Sequence, residues 1–188
     1  MCRACWQQIE SFSDSEALIG GDWPEMAYGP YQGLLRQLLG QTKYHGRAPL
    51  AHSMGFYLGE WFRHFNRPIQ AIVPIPLHAE RLNERGYNQA EALARGLSEA
   101  LNSPVRPILI RKKLTPALHA LSLEERRLAL NNCFDTVSER QVQKLSGKTL
   151  LLVDDIFTTG ATLAEAKKTL PTESGLSLTL ARTLKQDS

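Results

Sequence analysis

Two adjacent carboxylates, Asp154 and Asp155, are followed by three hydroxyls and a glycine. The full run is Leu150-Leu151-Leu152-Val153-Asp154-Asp155-Ile156-Phe157-Thr158-Thr159-Gly160-Ala161-Thr162. These residue types suit one chemistry. Paired carboxylates can accept hydrogen bonds from two vicinal hydroxyls, such as the 2′ and 3′ hydroxyls of a ribose. Thr158, Thr159 and Thr162 offer hydroxyl donors. Gly160 permits positive φ and close approach of a ligand to the backbone. Loop N–H groups ahead of a helix favour a dianion such as phosphate. Carboxylates for a sugar, then a nest for its phosphate, describe a ribose 5-phosphate site. The Asp-Asp pair on its own also suits a metal site, or a strand that simply ends in polar residues.

The elements around this run are legible. Four aliphatic residues after the turn-like Ser146-Gly147-Lys148 predict a buried strand. Leu163 to Leu170 has helical spacing. The stretch therefore reads strand, loop, helix, and ligands of open parallel sheets bind beyond the carboxyl ends of their strands. A second unit of the same kind lies upstream. Ala71-Ile72-Val73 predicts a short strand, followed by Pro74-Ile75-Pro76-Leu77-His78, Arg81 and Arg85-Gly86-Tyr87-Asn88-Gln89, then a helix from about Asn88 to Leu101. A loop carrying two arginines and two amides suits pyrophosphate, because guanidinium binds phosphate bidentately. Two loop arginines by themselves are more commonly a solvated face.

The 188 residues allow one domain with a sizeable core and a small appendage. Hydrophobic content is 43% and net charge only +3, so global charge does not argue for nucleic acid; such binding would need a local patch. No apolar run reaches membrane-spanning length and no signal peptide opens the chain, which predicts a cytoplasmic protein without a membrane partner. Three cysteines are too few for a disulfide framework. Cys2 and Cys5 form one Cys-x-x-Cys pair, a partial zinc site or the stub of a lost one, since structural zinc takes four ligands.

Ser11 to Pro24 reads as a loop or poorly ordered linker. We therefore divide the chain into residues 1–24, a residual zinc-knuckle and linker segment, and a domain over 25–188. Leu34, Leu35, Leu38 and Leu39 form a helical stripe, and a second helix runs from Pro49 to about Phe65, with Met54, Leu58, Trp61, Phe62 and Phe65 inward. Those aromatics read as core. Lys43, between the two helices, reads as solvated. Val105 to Ile110 predicts another strand. The polar segment from Arg111 through Arg127 has the length of an active-site lid. Cys133-Phe134 returns to the sheet, and Leu176 to Ala181 gives a last strand.

The Asp-Asp run closely resembles the phosphoribosyl pyrophosphate (PRPP) motif of type I phosphoribosyltransferases. Taken with Lys43-Tyr44, Val73-Pro74-Ile75-Pro76-Leu77, Arg81 and Arg85-Gly86-Tyr87-Asn88-Gln89-Ala90-Glu91, it resembles the ComF/GntX family, phosphoribosyltransferase-like proteins associated with DNA uptake in natural competence. The resemblance runs from about Leu34 to Leu184. It implies an α/β, type I phosphoribosyltransferase-like fold: a mostly parallel sheet with helices on both faces. It places the sugar-phosphate site at Asp154, Asp155, Thr158, Thr159, Gly160, Ala161 and Thr162, and the pyrophosphate loop at Pro76, Leu77, His78 and Arg81. Asp154 and Asp155 would carry the catalytic role. Lys112, Thr115 and Arg126 are candidate lid contacts. Mg²⁺ with PRPP is the implied cofactor. The family usually opens with a four-cysteine zinc module, of which Cys2 and Cys5 resemble the last pair, so zinc is expected only in a full-length form. Its lid commonly carries a Thr-x-x-Gln pattern and an asparagine after the arginine. Here those positions are Leu118 and Ala129, where an acceptor would be handled.

Two functions from different classes follow. One is a PRPP- and Mg²⁺-binding phosphoribosyltransferase relative acting in DNA uptake or processing, with single-stranded DNA or DNA-processing proteins as partners. The other is a non-catalytic single-stranded nucleic-acid or protein-binding module that kept the fold, with Arg106, Arg111, Lys112, Lys113, Arg126 and Arg127 as its contact surface. A purine or pyrimidine salvage enzyme fits less well, because the motifs outside the Asp-Asp run match the competence family.

Overall fold

A computed structural model describes residues 1–21, 23–44, 46–114, 129–172 and 174–184. The elements follow the hydrophobic periodicity closely at the sheet centre. β1 (Leu18–Ile19), β2 (Glu25–Pro30), β3 (Ala71–Pro74), β6 (Leu150–Phe157) and β7 (Gly175–Arg182) form one five-stranded sheet in the order β1-β2-β7-β6-β3. All neighbours run parallel except β1, which pairs antiparallel with β2 at the edge. β6 begins with four buried aliphatic residues, and β7 is buried over most of its length. This is the continuous apolar pattern of strands covered on both faces.

Alternation along each strand sorts the core into two layers. Ile72, Leu151, Val153, Leu176, Leu178 and Leu180 face one side. There they pack against α3 (Gly33–Gln41), α4 (Ala48–Phe62) and α6 (Gln89–Leu101). Ala71, Val73, Leu150 and Leu152 face the other side, with Leu163 and Ala166 of α8 (Ala161–Lys167) and Leu145 below α7 (Glu139–Gln143). Helices thus cover both faces of a mostly parallel sheet. α4 and α6 are in close contact because glycines meet at their crossing: a Cβ on Gly55 would collide with Leu93 backbone, and one on Gly96 with that of His52. Among the described residues no helix is long and apolar enough to cross a membrane.

Four sequence expectations change. The Val105–Ile110 strand does not join the central sheet. Val105 makes one parallel bridge to Ile72, and Arg106 N–H donates to the Ile72 carbonyl at 2.7 Å. Pro107 then has no N–H to extend the ladder. The chain turns away as β4 (Leu109–Arg111), which pairs antiparallel with β5 (Phe134–Thr136) in a separate two-stranded sheet. Phe134 therefore returns to that ribbon and not to the main sheet. The loop after β3 contains a helix, α5 (Ala79–Arg85), capped by His78, whose Nδ1 accepts from Glu80 N–H at 3.3 Å.

The fourth change is at the N-terminus. Ser11–Pro24 is not a bare linker: it holds a helical turn, α2 (Asp14–Ala17), whose Ser13 and Glu16 form a capping box, and then β1. Residues before it pack too. Trp6, on α1 (Arg3–Trp6), is buried with its ring centroid 4.4 Å from that of Tyr28. Arg182 lies over the Phe12 ring at 4.3 Å and donates to the Glu16 carbonyl.

Candidate functional site

The parallel pairing of β3 with β6 brings the two predicted loops to one edge. Pro74 is opposite Val153, and Ile75 N–H donates to the Val153 carbonyl at 2.9 Å. The chain after β3 therefore leaves the sheet beside Asp154 and Asp155. Pro76, Leu77 and His78 are half-buried there. Asn88 fixes this loop from behind: its Nδ2 donates to the Ile75 carbonyl at 2.9 Å while its Oδ1 caps α6 by accepting from Ala90 N–H.

Asp154 and Asp155 both lie within β6 and are half-buried. Asp155 N–H donates to Asp154 Oδ1 at 2.9 Å. Burial pushes the Asp154 carboxyl up to about 8, the Asp155 charge adds to the rise, and the Arg111 guanidinium opposes it. Two close carboxylates in a desolvated place cannot both ionise cheaply. The pair therefore presents a protonated oxygen together with carboxylate acceptors near neutral pH. Thr158 and Thr159 are exposed, and Gly160, Ala161 and Thr162 are half-buried. Gly160 has φ +75°, a conformation that disfavours side chains, and caps α8. A Cβ there would lie 2.9 Å from the Phe157 ring. The loop is tied to the end of β7, where Thr183 N–H donates to the Phe157 carbonyl at 3.0 Å.

Arg81 lies one turn into α5 and is paired at 2.8 Å with Glu84 of the same helix. Such a surface pair contributes little, so the guanidinium can exchange its partner for a phosphate at small cost. Lys112, the candidate lid contact, is paired with Asp135 at 3.1 Å. Thr115, Arg126 and Leu118 fall outside the described residues. So do Arg127 and part of the predicted basic surface. The rest of that surface is engaged locally: Lys113 donates to the Asn131 carbonyl at 2.8 Å, and Arg111 stands 5.6 Å over the Phe134 ring.

Three contributors escaped the sequence reading of the site. Arg111 belongs to the β4–β5 ribbon, yet its charge reaches Asp154. Tyr87 is partly buried, its hydroxyl pushed up by burial with the Asp155 charge adding, and it donates to the Thr42 carbonyl. Under Gly160, the Glu25 carboxylate accepts from Lys167 Nζ at 3.0 Å, and Lys167 also donates to the Trp23 carbonyl at 3.2 Å. Tyr87 lies inside a motif already singled out, so its signal was present. Arg111 and Glu25 are separated from the Asp-Asp run by tens of residues, and only the tertiary fold joins them.

The donor set bears on metals. The Asp155 carboxylate could help hold Mg²⁺ jointly with the phosphates of a ligand, the usual manner of binding that ion. Among the described residues no three His, Cys, Asp or Glu side chains gather to hold a metal alone. Cys2, the N-cap of α1, and Cys5 on that helix are exposed, their sulfurs 3.4 Å apart. They could supply two of the four ligands a structural zinc takes. Hydrogen bonds from Cys5 hold the Cys2 thiol down and those with Cys2 push the Cys5 thiol up.

No protein-family model matches the chain. Among curated proteins it is similar to competence protein F of Haemophilus influenzae, 39% identical over 102 residues that make up 54% of this chain and 44% of the relative. It is similar to competence protein ComFC of Bacillus subtilis, 32% identical over 146 residues, 74% of this chain and 55% of the relative. DNA utilization protein YhgH of Escherichia coli K12 is 30% identical over 146 residues, 74% of this chain and 62% of the relative. The chain spans about half the length of the curated relatives it matches.

Proposed function

The chain belongs to the ComF family, and from that premise we propose that it is a phosphoribosyltransferase-like protein that binds PRPP with Mg²⁺ and serves DNA uptake or DNA processing. One observation carries the reading. A strand carrying Asp154-Asp155 in its second half, followed by the left-handed Gly160, opens at the same sheet edge as the loop that leads to Arg81.

Each residue has a role in that reading. Asp155 accepts hydrogen bonds from the ribose hydroxyls, and Asp154, carrying a proton near neutral pH, adds a donor beside it. The loop N–H groups around Gly160 and the hydroxyls of Thr158, Thr159 and Thr162 take the 5-phosphate. Arg81 takes the pyrophosphate, held in place by the Ile75–His78 loop. Mg²⁺, when bound, would neutralise charge on that pyrophosphate. Such chemistry relies mostly on positioned charge, so the protein contributes by holding these groups in place before reaction. The type I phosphoribosyltransferase fold is part of the same proposal. The role in DNA uptake rests on the names of the relatives.

Thermal unfolding with PRPP in the presence and absence of Mg²⁺ tests the reading. A ligand of the native state at about a hundred times its Kd stabilises by ~2.7 kcal/mol. For a chain of this size that is roughly 5–10 °C in Tm. No shift at millimolar PRPP with Mg²⁺, confirmed by calorimetric titration without heat, would count against it.

A further inference from the structure

We infer that the cavity between the ends of α4 and α6 is a second ligand site, which takes a small organic monoanion: its carboxylate on Arg67 and its apolar body against Pro68, Ile69 and Leu101. Pro68 and Ile69 lead into β3, whereas the loop to Arg81 follows it, so the two sites lie at opposite ends of that strand. The inference goes beyond PRPP binding and does not depend on it.

The course of the backbone creates this cavity. α4 and α6 are tightly packed through their glycines, and a Cβ on Gly59 would come within 2.5 Å of that of Ala100. Beyond that point the two chains diverge. α4 continues as a 3-10 turn, Arg63–Phe65, which Asn66 ends at φ 50°, and Pro68 disfavours helix at the residue before it. α6 stops at Leu101, with Asn102 at φ 52°. Two ties span the gap: Ser103 Oγ donates to the Ile69 carbonyl at 3.0 Å, and the Arg63 guanidinium donates to the Ala100 carbonyl. The cavity between them measures about 380 Å³. Small-molecule sites run from roughly 300 to 1,000 Å³.

Its lining decides the chemistry. Phe62, Pro68, Ile69 and Leu101 supply apolar surface, and Phe62 is part of the core. Covering such surface favours a ligand with an apolar body. The charged lining residues are both arginines. Arg63 is already engaged, by Glu60 at 3.1 Å and by the Ala100 carbonyl. Arg67 is exposed and, among the described residues, makes no hydrogen bond, ion pair or ring contact. A lone exposed arginine is ordinary on a protein surface; this one borders an apolar hollow of ligand size. Ser103 adds little polarity, because its hydroxyl is committed to the Ile69 carbonyl and, at 3.4 Å, to that of Leu101. One unengaged guanidinium matches one carboxylate, which it binds bidentately. A dianion would call on the second arginine, which Glu60 already holds.

The test is a titration of the full chain, followed by the amide resonances in nuclear magnetic resonance, with three probes and no PRPP. 1-Naphthoate carries the carboxylate and the apolar body, 1-naphthylmethylammonium the same body with the opposite charge, and acetate the carboxylate alone. Naphthoate should saturate with a Kd of about 1 mM or below, the affinity its size carries, and should shift the amides of Asn66, Ile69, Leu101 and Ser103. The other two probes at the same concentrations should leave those amides in place. Arg67→Gln should weaken naphthoate roughly ten- to a hundredfold and should melt with the parent, since Arg67 is exposed. Leu101→Trp, which fills the hollow, should abolish the shifts. Arg81→Gln should leave naphthoate binding unchanged, because the β3 loop takes no part in it. No shift with naphthoate would overturn the inference, as would equal binding of the ammonium probe or indifference to Arg67→Gln. So would naphthoate shifts confined to Asp154–Gly160, or a loss in Arg81→Gln as large as in Arg67→Gln. A PRPP titration that fails while these effects persist would sink the PRPP reading and leave this one standing.

Discussion

β6 with its loop and β3 with its loop are neighbours of the same kind, a parallel strand leading into a helix, yet they hold their sites by different means. After β6 the geometry is set by the backbone: Gly160 takes φ +75° over the Phe157 ring, and the loop is tethered by a main-chain bond from Thr183. After β3 the geometry is set by side chains: Asn88 holds the Ile75 carbonyl, His78 caps α5, and Arg81 is engaged by Glu84. A backbone site fails outright when a Cβ enters it. A side-chain site degrades one contact at a time.

The largest expected effect therefore belongs to Gly160→Val. A β-branched residue is strained at positive φ by about 1–3 kcal/mol, and its Cβ would crowd the Phe157 ring. PRPP affinity should fall below detection by calorimetry, with a lowered Tm. Asp155→Asn keeps the shape and should cost less: a hydrogen bond to a charged group contributes about 1.5–3 kcal/mol, roughly ten- to a hundredfold in Kd. Equal or reversed effects of these two variants would break the contrast.

On the β3 side, Asn88→Ala removes two bonds at once, the cap of α6 and the tie to Ile75. Loss of a cap costs about 0.5–2 kcal/mol, and at this chain length each kcal/mol is roughly 2–4 °C in Tm. A fall of several degrees with PRPP binding weakened, not abolished, is the expected result. A melting temperature equal to that of the parent would show that the loop does not lean on Asn88.

These contrasts also explain which parts of the molecule the sequence discloses. The β6 unit is legible because its apolar run, its carboxylates and its glycine are consecutive. α3, α4 and α6 are legible from the stripe of Leu35 and Leu39, of Met54, Leu58 and Phe62, and of Leu93 and Leu97. β2 is not legible: it is short, it opens on Glu25, and it ends in Gly29-Pro30, which read as a turn. It is a strand because β7 pairs with it over Glu25 to Pro30. α5 hides for a similar reason, since a seven-residue helix of mostly polar residues has too little periodicity to read. Val105–Ile110 is apolar enough for a strand, but its bond partner depends on Pro107 and on a distant Phe134. Arg111 approaches Asp154 through that ribbon, so no local window could show it.

The carboxylate pair gives a pH test. Asp154 titrates near 8 in the folded chain against an ordinary value of 3.8. The native state then holds a proton that the unfolded chain has released, throughout the window between those values. Its contribution to stability is full below about pH 4 and is lost as pH rises through the folded value. Asp154→Asn should therefore flatten the stability profile. The loss of stability between pH 5 and pH 9 should shrink by at least ~1 kcal/mol, roughly 2–4 °C in Tm. An unchanged slope would mean that Asp154 is already ionised at pH 5.

The smallest effect is expected at Glu84. Its pair with Arg81 lies on the surface of α5, three residues apart, with both side chains largely exposed. Exposed pairs of this kind contribute about 0–1 kcal/mol, so Glu84→Gln should leave Tm within a degree or two of the parent. Its effect on binding has the opposite sign from every other variant considered. With Glu84 neutral, Arg81 no longer divides its charge between its own helix and the phosphate. PRPP affinity should rise by up to about fivefold, the counterpart of less than 1 kcal/mol of released competition. Arg81→Gln in the same background should erase that gain. If Glu84→Gln instead weakens PRPP, the Arg81–Glu84 pair is what orients the guanidinium for binding. The β3 loop would then be as preorganised as the β6 loop, and the contrast between backbone and side-chain control would narrow to Gly160 alone.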